Sequence, residues 1–104
     1  MAKYLFVYHG GGPPSNPEDG QKVMAAWGAW FASMGAAVID GGAPVGKSST
    51  VKSNGSVADD GGSNPASGYS LIDAPSLEAA QQMAKACPHL ASGGSVEIAP
   101  CMAM

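Results

Sequence analysis

The chain contains no arginine, and its 104 residues carry only five lysines against eight carboxylates. Without arginine there is no bidentate donor for phosphate. Without a basic cluster nothing neutralises a nucleic-acid backbone, so nucleic acid is not an expected partner. Apolar runs are short, none near the roughly 18 residues of a membrane span, so no membrane partner is expected either. The two cysteines, Cys87 and Cys101, form no C-x-x-C, and no leader-like segment opens the chain, so a cytoplasmic location with free thiols is expected. Cys87 and His89 offer two potential metal ligands where a structural site needs more, so no metal is expected, and no motif implies a cofactor. Leu, Ile, Val and Phe together number only 16, which gives a thin core. Disorder would require low hydrophobicity together with high charge, and a net charge of −3 with 18 alanines does not supply it. Residues 1–104 therefore read as one small domain.

What is present is a regular alternation of elements. Lys3 to His9 is a strand with two apolar faces, Leu5 and Val7 on one and Tyr4, Phe6 and Tyr8 on the other. Such a strand has to be covered twice. Asn16 can cap a helix that has Pro17 at its first position and Glu18 and Asp19 in its first turn. Val23, Trp27, Trp30 and Met34 follow as its buried stripe, Gly35 ends it, and Ala36 to Ile39 reads as the next strand. Tyr69 to Ile72 is a third strand, broken by Asp73-Ala74-Pro75. Ser76 caps a second helix with a stripe at Leu77, Ala80, Ala84 and Cys87, stopped by Pro88. Val96 and Ile98 then alternate with Ser95, Glu97 and Ala99 in a last strand. The order β-α-β, variable middle, β-α-β is the split βαβ plan of an α+β, ferredoxin-like domain with an antiparallel sheet.

The middle, residues 41–66, is rich in Gly, Ser and Asn. Asn54-Gly55, between Ser49 to Lys52 and Ser56 to Ala58, predicts a small hairpin with both turn residues at positive φ. Gly41 to Ser48, GGAPVGKS, matches the P-loop pattern. A phosphate cradle requires that segment to open a helix. Ser48-Ser49-Thr50-Val51 is poor helix sequence and Asn54-Gly55 would break it, so the match is read as chance.

The stretch GYSLIDAPSLEAAQQMAKACPHLASGGSVEIAP, with the opening KYLFVYHG and the helix ending WFASMG, resembles the YCII-related proteins, close to the DGPF group. The resemblance implies a dimeric α+β barrel in which two four-stranded sheets face each other, with helices outside. That homodimer would supply the second cover for the first strand. YCII-type members thought to be enzymes carry a His on the first helix, and the matching position here is Met24. The naming tetrapeptide survives only as Asp60-Gly61-Gly62-Ser63. Neither role carries over.

Four residues remain as candidates for a site: His9 at the end of the first strand, Asp40, Ser70, and Glu97, which strand alternation turns away from the helices. They predict a small-molecule site in the cleft between sheets, because the helix-facing side should be filled by Val96, Ile98 and the Trp stripe. One alternative is a small acid-base enzyme of a catabolic pathway that uses His9 with Asp40 or Glu97. Another is a structural interaction module. His89 is expected to cap the preceding helix, and Cys87, at a helix C-terminus, is expected to be core.

Overall fold

A computed structural model describes residues 1–104. Strand β1 (Ala2–Gly10) leads to helix α1 (Pro17–Met34), and a 3₁₀ turn over Gly35–Ala37 enters β2 (Val38–Pro44). The short strands β3 (Thr50–Val51) and β4 (Val57–Ala58) precede β5 (Ala66–Ala74). Helix α2 (Leu77–Lys85), a 3₁₀ segment over Pro88–Ser92 and β6 (Gly94–Pro100) complete the chain. The four long strands form an antiparallel sheet in the order β2-β5-β1-β6, as a ferredoxin-like split βαβ plan requires.

Each helix starts where its cap places it. The Asn16 side chain accepts a hydrogen bond from the Asp19 amide at 2.8 Å, and Ser76 accepts from Ala79 at 3.1 Å. Helix α2 stops two residues short of the expected Cys87. Cys87 precedes Pro88 and is held extended, at φ −66° and ψ 129°. The third strand is longer than its apolar run, because Asp73 and Ala74 continue its pairing with Lys3 and Ala2. The second begins later than expected, since the residues after Gly35 complete the 3₁₀ turn.

Both helices pack on one face of the sheet. The core is Tyr4, Phe6 and Tyr8 of β1, Ile72 and Ala74 of β5, Trp30 of α1, and Ala80, Ala84 and Cys87 in and after α2. Alanines on α2 let it approach closely, whereas α1 does not seat fully. Of its stripe only Trp30 is buried, and Val23, Trp27, Phe31 and Met34 are half-buried. The opposite face carries Leu5, Val7, Leu71 and Ala99 with no second layer over it. The molecule is accordingly a slab 18 Å thick, with a radius of gyration of 15.0 Å, against about 13 Å for a compact chain of this length.

In the middle segment β3 pairs with β4, as the hairpin reading requires. Its turn differs from the expected one: Gly55 takes φ +88°, but Asn54 does not have positive φ. The Asn54 side-chain oxygen instead accepts from both the amide and the hydroxyl of Ser56. The P-loop match opens no helix. Gly41 to Pro44 are strand, and the Lys47 ammonium sits 3.0 Å from the Asp59 carboxylate at the exposed base of the hairpin.

Candidate functional site

Two of the four candidate residues meet. Strand alternation and the β1-β6 register, Val7 opposite Glu97 and His9 opposite Ser95, bring His9 and Glu97 onto the open face. His9 Nε2 lies 2.8 Å from Glu97 Oε1, and His9 Nδ1 lies 3.1 Å from the Pro65 carbonyl. A carbonyl only accepts, so Nδ1 carries a proton. A neutral ring would then turn its Nε2 lone pair toward a carboxylate. Only the imidazolium donates to both partners. Glu97, followed by the Pro65 carbonyl, therefore raises the pKa of His9 above 6.5, against the opposing effect of burial. The pair closes the loop before β5 onto the sheet edge. Both ring nitrogens are engaged, so proton exchange with a substrate would first require one of these bonds to break.

Asp40 and Ser70 lie elsewhere. Asp40 Oδ1 accepts from the Gly42 amide at 2.8 Å and is spent on the irregular edge of β2, where pairing with β5 slips on both sides of Asp40. Ser70 is fully buried on the helix side of the sheet, across from the His9–Glu97 pair. It accepts from the Tyr8 hydroxyl at 2.7 Å and donates to the Gly41 carbonyl at 2.7 Å. Burial pushes the Tyr8 phenol up to about 12, with the Ser70 bond opposing part of that rise. The four candidates therefore do not form one site.

The helix-facing side is not filled, contrary to the sequence expectation. A pocket of about 400 Å³ opens between α1, at Val23, Met24, Trp27 and Phe31, and the β2-β5 edge. Tyr8, Trp27, Phe31 and His89 form its aromatic wall, and Gly41, Gly42 and Gly68 its backbone wall. The rings hold one another at angles. Tyr8 and Trp27 meet edge to face at 85° with centroids 5.0 Å apart, and Tyr8 and His89 meet at 62° and 5.7 Å. Two of the three glycines are required. A side chain at Gly42, which has φ +72°, would run into the Tyr69 carbonyl, and one at Gly68 would lie 3.2 Å from the Tyr8 ring.

His89 does not cap α2. Its Nε2 donates to the His9 carbonyl at 2.8 Å, which ties the 3₁₀ segment to the end of β1. The ring occupies a slot that exists only because residues 11 and 94 are glycines; a Cβ at Gly11 would come within 2.6 Å of it. Cys87 behaves as core, its thiol pushed up to about 11 by burial. No three His, Cys, Asp or Glu side chains converge on one point, and no helix is long and apolar enough to cross a membrane.

Sequence reasoning missed the pocket, although part of its signal was present. Three glycines in or beside strands, facing a helix with Trp27 and Phe31 four residues apart, leave rings opposite bare backbone. No family model matches the chain, and no curated protein matches it.

Proposed function

We propose that the protein binds a small molecule, and that the ligand lies between α1 and the β2-β5 edge. The observation that carries this reading is the pocket of about 400 Å³, well within the roughly 300–1,000 Å³ of ordinary ligand sites. Aromatic walls of this kind would normally close on each other in a core of this size, because each buried ring removes about 150–250 Å² from water. Here the rings touch one another, but the wall opposite them has no side chain at Gly41, Gly42 and Gly68, so a space stays open in front of them. The reading moves the expected site from the open face to the helix side of the sheet. It leaves His9 and Glu97 as a structural latch.

Self-association through the open face belongs to the same proposal. Leu5, Val7, Leu71 and Ala99 form a contiguous apolar strip across three strands, as a sheet paired face to face with a second copy would need. This is the arrangement that the resemblance to YCII-related proteins implies.

A fragment screen followed by amide chemical shifts tests the ligand site. Perturbations are expected to cluster on Val23 to Phe31, Gly41 to Ala43, Gly68 and His89. Clustering on Leu5, Val7 and Glu97 would place the site on the open face and overturn the reading. Light scattering at micromolar concentration is expected to give twice the chain mass, and a well-folded monomer would exclude the barrel.

A further inference from the structure

We infer that the pocket selects a neutral, planar, two-ring aromatic molecule bearing one hydrogen-bonding group. The inference rests on the reading of this pocket as a ligand site and specifies what that ligand must be. Size, charge, shape and polarity each narrow the class.

A cavity of about 150 Å³ with apolar walls holds one benzene, so about 400 Å³ suits two fused rings with a substituent. None of the lining residues is Asp, Glu, Lys or Arg. An ion buried there would lose its hydration with no counter-charge in return. The aromatic wall is set by rings that already meet at 85° and 62°, an arrangement that a further flat ring extends by stacking or edge-to-face contact, whereas a globular aliphatic gains only area. The opposite wall, with bare backbone at Gly41, Gly42 and Gly68, leaves room for a flat molecule between helix and strand edge.

On the aromatic wall two polar atoms are unspent. The Trp27 indole N–H makes no hydrogen bond within the protein, unlike that of Trp30, which donates to the Met83 carbonyl at 3.0 Å. His89 donates through Nε2 to the His9 carbonyl, so the neutral ring keeps Nδ1 as an acceptor that no protein donor meets. One acceptor and one donor match a hydroxyl. The Tyr8 hydroxyl donates to Ser70 and the Ser67 hydroxyl donates to the Tyr8 carbonyl, while the Tyr69 hydroxyl, which has no partner within the protein, belongs to a side chain that alternation opposite Val7 puts on the open face.

The test uses probes of one shape and three charges, 1-naphthol, 1-naphthoate and 1-naphthylmethylammonium, titrated calorimetrically at pH 7 into the full chain. Naphthol is expected to bind at least tenfold more tightly than either ion. Gly41→Leu, whose side chain would extend from a position 3.9 Å from the Phe31 ring, is expected to abolish binding. Should that variant fail to fold, Met24→Trp on the exposed surface of α1 narrows the same mouth and is expected to weaken naphthol at least tenfold. An ion that binds as tightly as naphthol overturns the neutral class while leaving a ligand pocket in place. Naphthol affinity unchanged in both variants overturns the location. No binding of any probe to the wild type overturns the aromatic class, and the fragment screen then decides separately whether the pocket binds anything.

Discussion

Replacing Ser70 by alanine should cost about 2 kcal/mol of folding stability, chiefly because of what it does to Tyr8. The Ser70 hydroxyl is fully buried and joins two groups, accepting from Tyr8 and donating to the Gly41 carbonyl. Gly41 is exposed, so water can replace the lost donor there. Tyr8 is only 5% exposed, and its hydroxyl would be left without an acceptor, at a cost of about 1–3 kcal/mol. Tyr8→Phe removes the same bond but leaves Ser70 bonded to Gly41, and should cost about 1 kcal/mol. In the double variant no orphaned phenol remains, so the loss should stay near 2 kcal/mol where independent effects would sum to about 3. Urea unfolding at fixed protein concentration measures each value as a shift of midpoint at constant slope. The same loss should lower the melting temperature of Ser70→Ala by about 8–16 °C. Additive losses, or a Ser70→Ala loss below about 0.5 kcal/mol, would refute the claim that this bond is buried and shared.

The His9–Glu97 latch makes stability depend on pH. Because the folded-state pKa of His9 lies above its ordinary 6.5, its contribution is complete below 6.5 and disappears as pH rises through the folded value. Glu97→Gln should flatten that fall and lower the His9 titration followed by NMR, while Asp40→Asn should change neither; a shift with Asp40→Asn alone would contradict the geometry. Cys101 should react with a thiol reagent in the native protein at pH 8, and Cys87 only after unfolding, since burial pushes its thiol up to about 11. Two equally fast thiols would show that the Cys87 environment is open. Calorimetry with magnesium and ATP should show no saturable binding to the wild type or to Lys47→Ala, because the segment after Gly41 forms strand and hairpin. Micromolar binding abolished by Lys47→Ala would restore the P-loop.

The sequence revealed the architecture wherever periodicity, a cap and a breaker agreed. Asn16-Pro17, Ser76 and Pro88 each mark a helix boundary by local chemistry, and Val96 and Ile98 fix the faces of β6 by alternation alone. Local rules also put Glu97 on the open face, because alternation along one strand needs no knowledge of its neighbours. They failed for Ser70, whose side depends on β5 continuing through Asp73 and Ala74 in register with β1. They failed for His89 too. Its partner is the His9 carbonyl, eighty positions away in the chain, and its place is defined by glycines at 11 and 94 whose only contribution is the absence of a side chain. The pocket was hidden for a related reason. A 3.6-residue stripe says which residues of a helix turn inward, and it correctly selects Val23, Trp27, Trp30 and Met34. It cannot say how far away the opposing surface stands. That distance is set by β2, whose bulge around Asp40 and Gly42 leaves the stripe facing bare backbone, so that only Trp30 is buried and the rings on either side of it in the chain, Trp27 and Phe31, line a space. Filling that space from the strand side, where Gly41 has room for a side chain, is the perturbation that separates a binding pocket from a loosely seated helix. An unused gap should gain stability when apolar atoms fill it, at about 0.8 kcal/mol per buried methylene. A ligand site should instead lose its ligand, whatever the change in stability.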